Sequence, residues 1–122
     1  MAVLTKIFDV IEDTSGTYTG RLVDETGTPV SSANIDTATL SLYDTADDAI
    51  INSRSEQNVL NANQVTIDTS GLITWAFLAA DMPRLHFNRL TELHTALFII
   101  SFDDEVLLHK VSFRIHPLAI EE

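Results

Sequence analysis

Residues 94–115 read HTALFIISFDDEVLLHKVSFRI, two apolar runs on either side of an Asp103-Asp104 corner. Aspartate tolerates the left-handed backbone of a two-residue hairpin loop. Pairing about that loop sets Phe102 opposite Glu105, Ile100 opposite Leu107, Phe98 opposite His109, Ala96 opposite Val111 and His94 opposite Phe113. Side chains alternate along a strand, so the other face pairs Ser101 with Val106, Ile99 with Leu108, Leu97 with Lys110, Thr95 with Ser112 and Leu93 with Arg114. The first face is the better core face. The second is apolar where a half-exposed strand would be polar, and a change of one residue in the turn would reassign every cross-strand partner.

Outward from this hairpin, the chain continues in short runs rich in Thr, Val, Ile, Leu and aromatic residues, separated by Asp, Gly, Asn and Pro clusters. Strands are expected at Tyr18 to Val23, Ala38 to Tyr43, Ala49 to Asn52, Gln64 to Ile67, Leu72 to Leu78, Leu93 to Phe102 and Glu105 to Ile115. In DETGTPV, Gly27 supplies positive φ and Pro29 removes a ladder donor. DTADDA and DTSG mark two further turns, and AADMPRLHFNRLT reads as one helical turn before Pro83 followed by an irregular crossover. Leu40 and Leu42 share a face, as do Ile73, Trp75 and Phe77, so the expected core is Leu40, Leu42, Ile73, Trp75, Phe77, Phe98, Ile100, Val111 and Phe113, with Trp75 at its centre. About seven short strands in one domain predict an all-β, immunoglobulin-like antiparallel sandwich over residues 17–118. An N-terminal arm (1–16) precedes it and an acidic tail (119–122) follows.

The arm is ambiguous. Val3, Ile7, Val10 and Ile11 have helical spacing, but their β-branched content favours an extended segment that pairs with the sheet of its own subunit or of a neighbour. MAVLTKIFDVIEDT does not read as a signal peptide, since Asp9 interrupts it and no small-residue cleavage site follows a continuous apolar stretch. Met1 or Ala2 is therefore expected to begin the working protein.

The 122 residues are 45% hydrophobic, enough for one domain that buries about two-thirds of its unfolded surface. No apolar run approaches the roughly 20 residues of a bilayer helix. Eighteen acidic against seven basic residues give a formal charge of −11. That charge repels phosphate backbones and anionic membranes, so neither nucleic acid nor membrane is an expected partner. Cysteine is absent, which removes disulfides and thiolate metal sites.

The residues hold little recognisable catalytic chemistry. His86 and His94 are eight apart and His109 and His116 seven apart, without the i, i+4 or i, i+2 pairs of zinc sites on helices or strands, so no metal or other cofactor is expected. The corners DTADD and DDE have oxygen donors for calcium but match no EF-hand loop, and solvated turn carboxylates are the preferred reading. No GxSxG elbow or glycine-rich phosphate loop occurs, and no enzyme activity is expected. His109, facing Phe98, reads as a core or rim histidine with a backbone hydrogen bond. Tyr18, Tyr43 and Trp75 could stack on sugar rings, but Trp75 lies on the apolar stripe.

The second hairpin face is the candidate interface: Leu93, Leu97, Ile99, Val106 and Leu108, with Val3 and Ile7 from the arm. Its cover is either internal, by the 79–92 crossover or the arm, or a subunit contact; arm exchange between subunits would be both.

The order of GRLVDETGTPV, ATLSLYD, INSRSEQNVLNAN, DTSGLITWAFLAADM and ELHTALFIISFDDEVLLHKVSFRI resembles small immunoglobulin-like proteins from structural gene clusters of tailed bacteriophages and prophages. The shared pattern covers residues 17–116: a D-x-x-G-x-P turn, an sLYD strand, an nvln segment, G-x-x-x-W-x-l-x-x-x-D, and a hairpin led by E-x-H. The resemblance implies a virion part, with no catalytic residues to carry over. A capsid decoration or cement protein is expected, homo-oligomeric, bound to the major capsid protein, and located on the capsid surface after assembly in the host cytoplasm. A tail or baseplate module and a host-glycan adhesion module are the alternatives.

Overall fold

The computed structural model describes residues 5–117. Its strands are β1 (Thr5–Ile11), β2 (Gly16–Arg21), β3 (Ile35–Asp44), β4 (Gln57–Asn58), β5 (Val65–Ile67), β6 (Leu72–Phe77), β7 (Glu92–Phe102) and β8 (Glu105–His116), with 3-10 turns at Ser32–Asn34 and Ala79–Asp81. A five-stranded sheet ordered β1-β8-β7-β3-β4 packs against a three-stranded sheet ordered β2-β6-β5. The order is that of an immunoglobulin-like sandwich whose first strand has moved to the far sheet. The fold is the expected all-β sandwich, with eight strands rather than seven.

The β7–β8 hairpin has the predicted register at every pair, from Phe102 opposite Glu105 to Leu93 opposite Arg114. Asp103 and Asp104 both take positive φ, 45° and 62°, as a two-residue turn matched to the strand twist requires. Once this register is set, β3 joins β7 with Leu40 opposite Phe98 and Leu42 opposite Ala96. All nine expected core residues are buried, and Trp75 has no exposed surface. Trp75 meets Phe77, Phe98 and Phe113 edge-on at centroid distances of 5.6, 6.0 and 5.6 Å, a favoured geometry for aromatic quadrupoles.

The segment expected as an arm is part of the sandwich. Residues 5–11 pair in parallel with β8, Thr5 beside Lys110 and Ile11 beside His116. Val10 is buried, and Phe8 packs edge-on against Tyr18, Phe77 and Phe113. Of the residues with helical spacing, Val10 is buried while Ile7 and Ile11 are exposed, and the stretch takes the extended alternative, paired with the sheet of its own chain. The tail at 119–122 lies outside the described residues.

One strand fails to form where expected. Ala49 to Asn52 makes only an isolated bridge between Tyr43 and Ile50. The chain then turns through Asn52 and Ser53, both at positive φ, and the strand beside β3 is the two-residue β4. Just beyond this turn, Arg54 is buried (2% exposed). Its guanidinium binds Asp81 through Nε at 2.5 Å and NH2 at 3.1 Å, reaches the Gln57 and Gln64 side-chain oxygens at 2.6 and 2.9 Å, and lies 5.6 Å from the Trp75 ring centroid. Asp81 also accepts from Asn52 and from the Leu78 backbone N–H. The pair ties the 52–64 loop to the turn after β6.

Tight turns match their residue chemistry. Gly71 has φ +83°, and a Cβ there would stand 2.8 Å from the Leu22 carbonyl oxygen, so a side chain is excluded twice over. Two variants test the interior by urea denaturation. Phe98→Ala is expected to cost about 3 to 5 kcal/mol as a core truncation. Asp81→Ala is expected to cost a comparable ~3 to 5 kcal/mol, because it leaves a buried guanidinium without its counter-charge.

Candidate functional site

The outer face of the five-stranded sheet carries the residues expected at an interface. The β7–β8 and β1–β8 registers place Leu93, Leu97, Ile99, Val106, Leu108 and Ile7 on one side; Val3 lies outside the described residues. Val106 and Ile7 are about half exposed, at 50% and 49%, and Leu93 is also exposed, while Leu97, Ile99 and Leu108 are partly buried. β3 borders the patch with Thr37, Thr39 and Ser41, so its apolar centre is confined to the hairpin.

Among the described residues neither expected cover spans this face, although Arg89 and Thr91 of the crossover line a recess with Leu93 and Arg114 at its edge. The 5–11 segment extends the sheet edge. The crossover is held at the end of the sandwich: the Met82 carbonyl accepts from Asp13 N–H, Arg84 faces Glu12 at 3.7 Å, and Leu85 and His86 N–H groups donate to Glu92. The crossover exposes its own apolar side chains, Phe87 at 73% and Leu90 at 81%.

The inner face of β8 holds His109, tilted against Phe98 at 5.9 Å. Its partner is the Tyr18 hydroxyl, 2.7 Å from Nε2, and not the backbone group expected from sequence. Burial pushes the Tyr18 phenol up to about 12 and His109 below its ordinary value, so the pair shares its hydrogen bond as two neutral groups. Gly20 makes room, since a Cβ there would come within 2.5 Å of the Tyr18 hydroxyl and 2.8 Å of His109 Nε2.

At the crossover end, the inward phase of β3 and β7 finishes in polar groups. Asp44 pairs across from His94, and both are buried, with Glu92 one step further along β7's inward row. Glu92 accepts from Leu85 N–H, from His86 N–H at 2.7 Å and from His94 Nε2 at 2.6 Å. Burial opposes its ionisation, but these donors outweigh burial and hold its carboxyl below the usual range. Asp44 behaves alike: burial raises it, while bonds from the His86 ring and Ala46 N–H bring it below the usual value. His94 Nδ1 is buried without a hydrogen-bond partner among the described residues. His116 is set apart, 2.9 Å from Asp9 at the sheet edge.

Asp44, Asp47 and His86 each bring one potential ligand atom within 4.8 Å of the others. Sequence spacing did not reveal this group, because 42 positions separate Asp44 from His86 and the crossover has no periodicity to place it. His94 and His109 share the inner face several rungs apart, as expected. Compared with known protein families, the chain matches none, and no curated protein matches it.

Titration of His109 gives a measurable pH dependence. Its folded-state value lies below its unfolded one, so the unfolded chain takes up the proton first, and stability falls as pH drops below about 6.5. His109→Gln keeps an acceptor for Tyr18 and removes the titration. Urea midpoints between pH 7.5 and 5 are expected to decline less steeply in the variant; identical slopes would exclude His109 as the source.

Proposed function

We propose that this protein is a non-enzymatic structural component of a tailed-phage virion, a decoration or cement protein that binds the capsid and neighbouring copies of itself through the outer face of its five-stranded sheet. One observation carries the reading: Leu93, Leu97 and Ile99 on β7 and Val106 and Leu108 on β8 form an apolar double row, interrupted by Thr95 and flanked by Lys110 and Arg114, and no described segment spans it. At about 25 cal/mol per Å², covering even a few such side chains contributes several kcal/mol to association.

The resemblance of residues 17–116 to phage immunoglobulin-like proteins supports the virion setting. An acidic chain, −11 overall, is suited to contacts with protein rather than with packaged nucleic acid. The adhesion alternative keeps only one of its three candidate rings: Trp75 and Tyr18 are buried and offer no face to a sugar, and Tyr43 alone is partly exposed. A tail or baseplate module would use the same sheet-face contact, and neighbouring reading frames separate the two. Capsid protease and major capsid genes favour decoration, and tail genes favour the tail.

Mass photometry tests the face directly. The wild type is expected to form a closed oligomer, and Leu97→Asp or Leu108→Asp to release monomers that unfold at nearly the wild-type urea concentration. A strict monomer at high wild-type concentration would overturn self-association through this face, and loss of folding in both variants would show the row to be an internal requirement.

A further inference from the structure

Asp44 ends β3 on the strand's inward phase and is 1% exposed. Its Oδ1 accepts from Ala46 N–H at 3.1 Å, and its Oδ2 meets His86 Nε2. Asp47 sits on the turn that follows, closed by an Asp48 N–H bond to the Asp44 carbonyl at 2.7 Å. Asp47 Oδ1 accepts from Ala49 N–H at 3.1 Å, which leaves Oδ2 for another partner. His86 comes from the crossover with its backbone N–H fixed on Glu92. Asp44 and Asp47 are thus each oriented by a backbone N–H outside the group, and His86 is anchored through its main chain, support of the kind that orients metal ligands.

The charge is unbalanced. Among the described residues, no Lys or Arg forms an ion pair with Asp44 or Asp47: Arg84 pairs with Glu12, Arg114 with Asp9, and Arg54 with Asp81. Two carboxylates, one of them buried, therefore converge with the His86 imidazole as their one side-chain partner and two backbone N–H groups as the others. A buried carboxylate needs a compensating charge, and a cation held by all three side chains supplies it. Asp47 is exposed and His86 partly so, which leaves a path for entry and positions for water.

We propose that Asp44, Asp47 and His86 form a binding site for one divalent first-row transition metal of the zinc class. The donor set decides the class: imidazole nitrogen with carboxylate oxygens suits zinc and its neighbours, whereas calcium takes six to eight oxygen ligands. Bound metal would join the turn after β3 to the crossover, and so brace the segment that displays Phe87 and Leu90. This site is independent of the assembly face.

The test uses the full chain, stripped with EDTA. Zn²⁺ is titrated by calorimetry, Co²⁺ binding is read by visible absorption, and thermal unfolding is followed with and without Zn²⁺. One equivalent of Zn²⁺ and a raised melting temperature are expected. Asp47→Asn and His86→Gln, both at accessible positions, should each weaken binding by at least ~10-fold, while His116→Gln at the separate Asp9 pair leaves it unchanged. No binding at millimolar Zn²⁺, affinity insensitive to the first two variants, affinity lost in His116→Gln, or a response to Ca²⁺ without one to Co²⁺ would each overturn the assignment.

Discussion

The register of the β7–β8 hairpin is the constraint on which the remaining structure depends. A turn of two aspartates, both left-handed, decides that Phe98, Ile100, Val111 and Phe113 face inward and that Leu97, Ile99 and Leu108 face out. β1 then takes its register from β8, and β3 from β7. Slipping by one residue would either bring Lys110 to the core or send Phe98 into water, so the buried aromatic group enforces the register that the turn initiates.

A second, local device organises the opposite sheet's periphery. Arg54 and Asp81 are 27 residues apart in sequence, yet they close the irregular 52–64 loop and the turn after β6 against the Trp75 ring. The guanidinium is nearly saturated: two carboxylate oxygens, two glutamine oxygens and the Asn63 carbonyl accept from it. Such saturation is what makes a charged group tolerable in an apolar setting. It also ties down a stretch with several positive-φ residues, among them Asn52, Ser53, Glu56, Asn61 and Asn63, in which only the two-residue β4 pairs with a neighbouring strand.

What was legible in the sequence was local or periodic. Alternation around Asp103-Asp104 disclosed the hairpin and both of its faces, and the same alternation in β3 and β6 disclosed Leu40, Leu42, Ile73, Trp75 and Phe77 as core, because period-two patterning and turn chemistry act over a few residues. The parallel pairing of 5–11 was not readable, since inward Phe8 and Val10 are compatible with several partners. The burial of Arg54 was equally hidden, since its partner Asp81 lies 27 positions away. The same limit hid the polar groups: His109 meets Tyr18 across 91 positions, and His86 meets Asp44 through a crossover whose path no spacing rule describes. Long-range side-chain encounters carry no signature in a single chain.

The parallel pairing of β1 with β8 also has a mechanical meaning. The chain enters this pair at Thr5 and leaves it at His116, the far end of the partner strand. Tension applied through the segments before and after the domain would pull the two strands past each other lengthwise. The bonds of a parallel ladder are evenly spaced, so they would share that shear load and yield together rather than peel one at a time, with the Phe8 contacts to Phe77 and Phe113 resisting the same sliding motion.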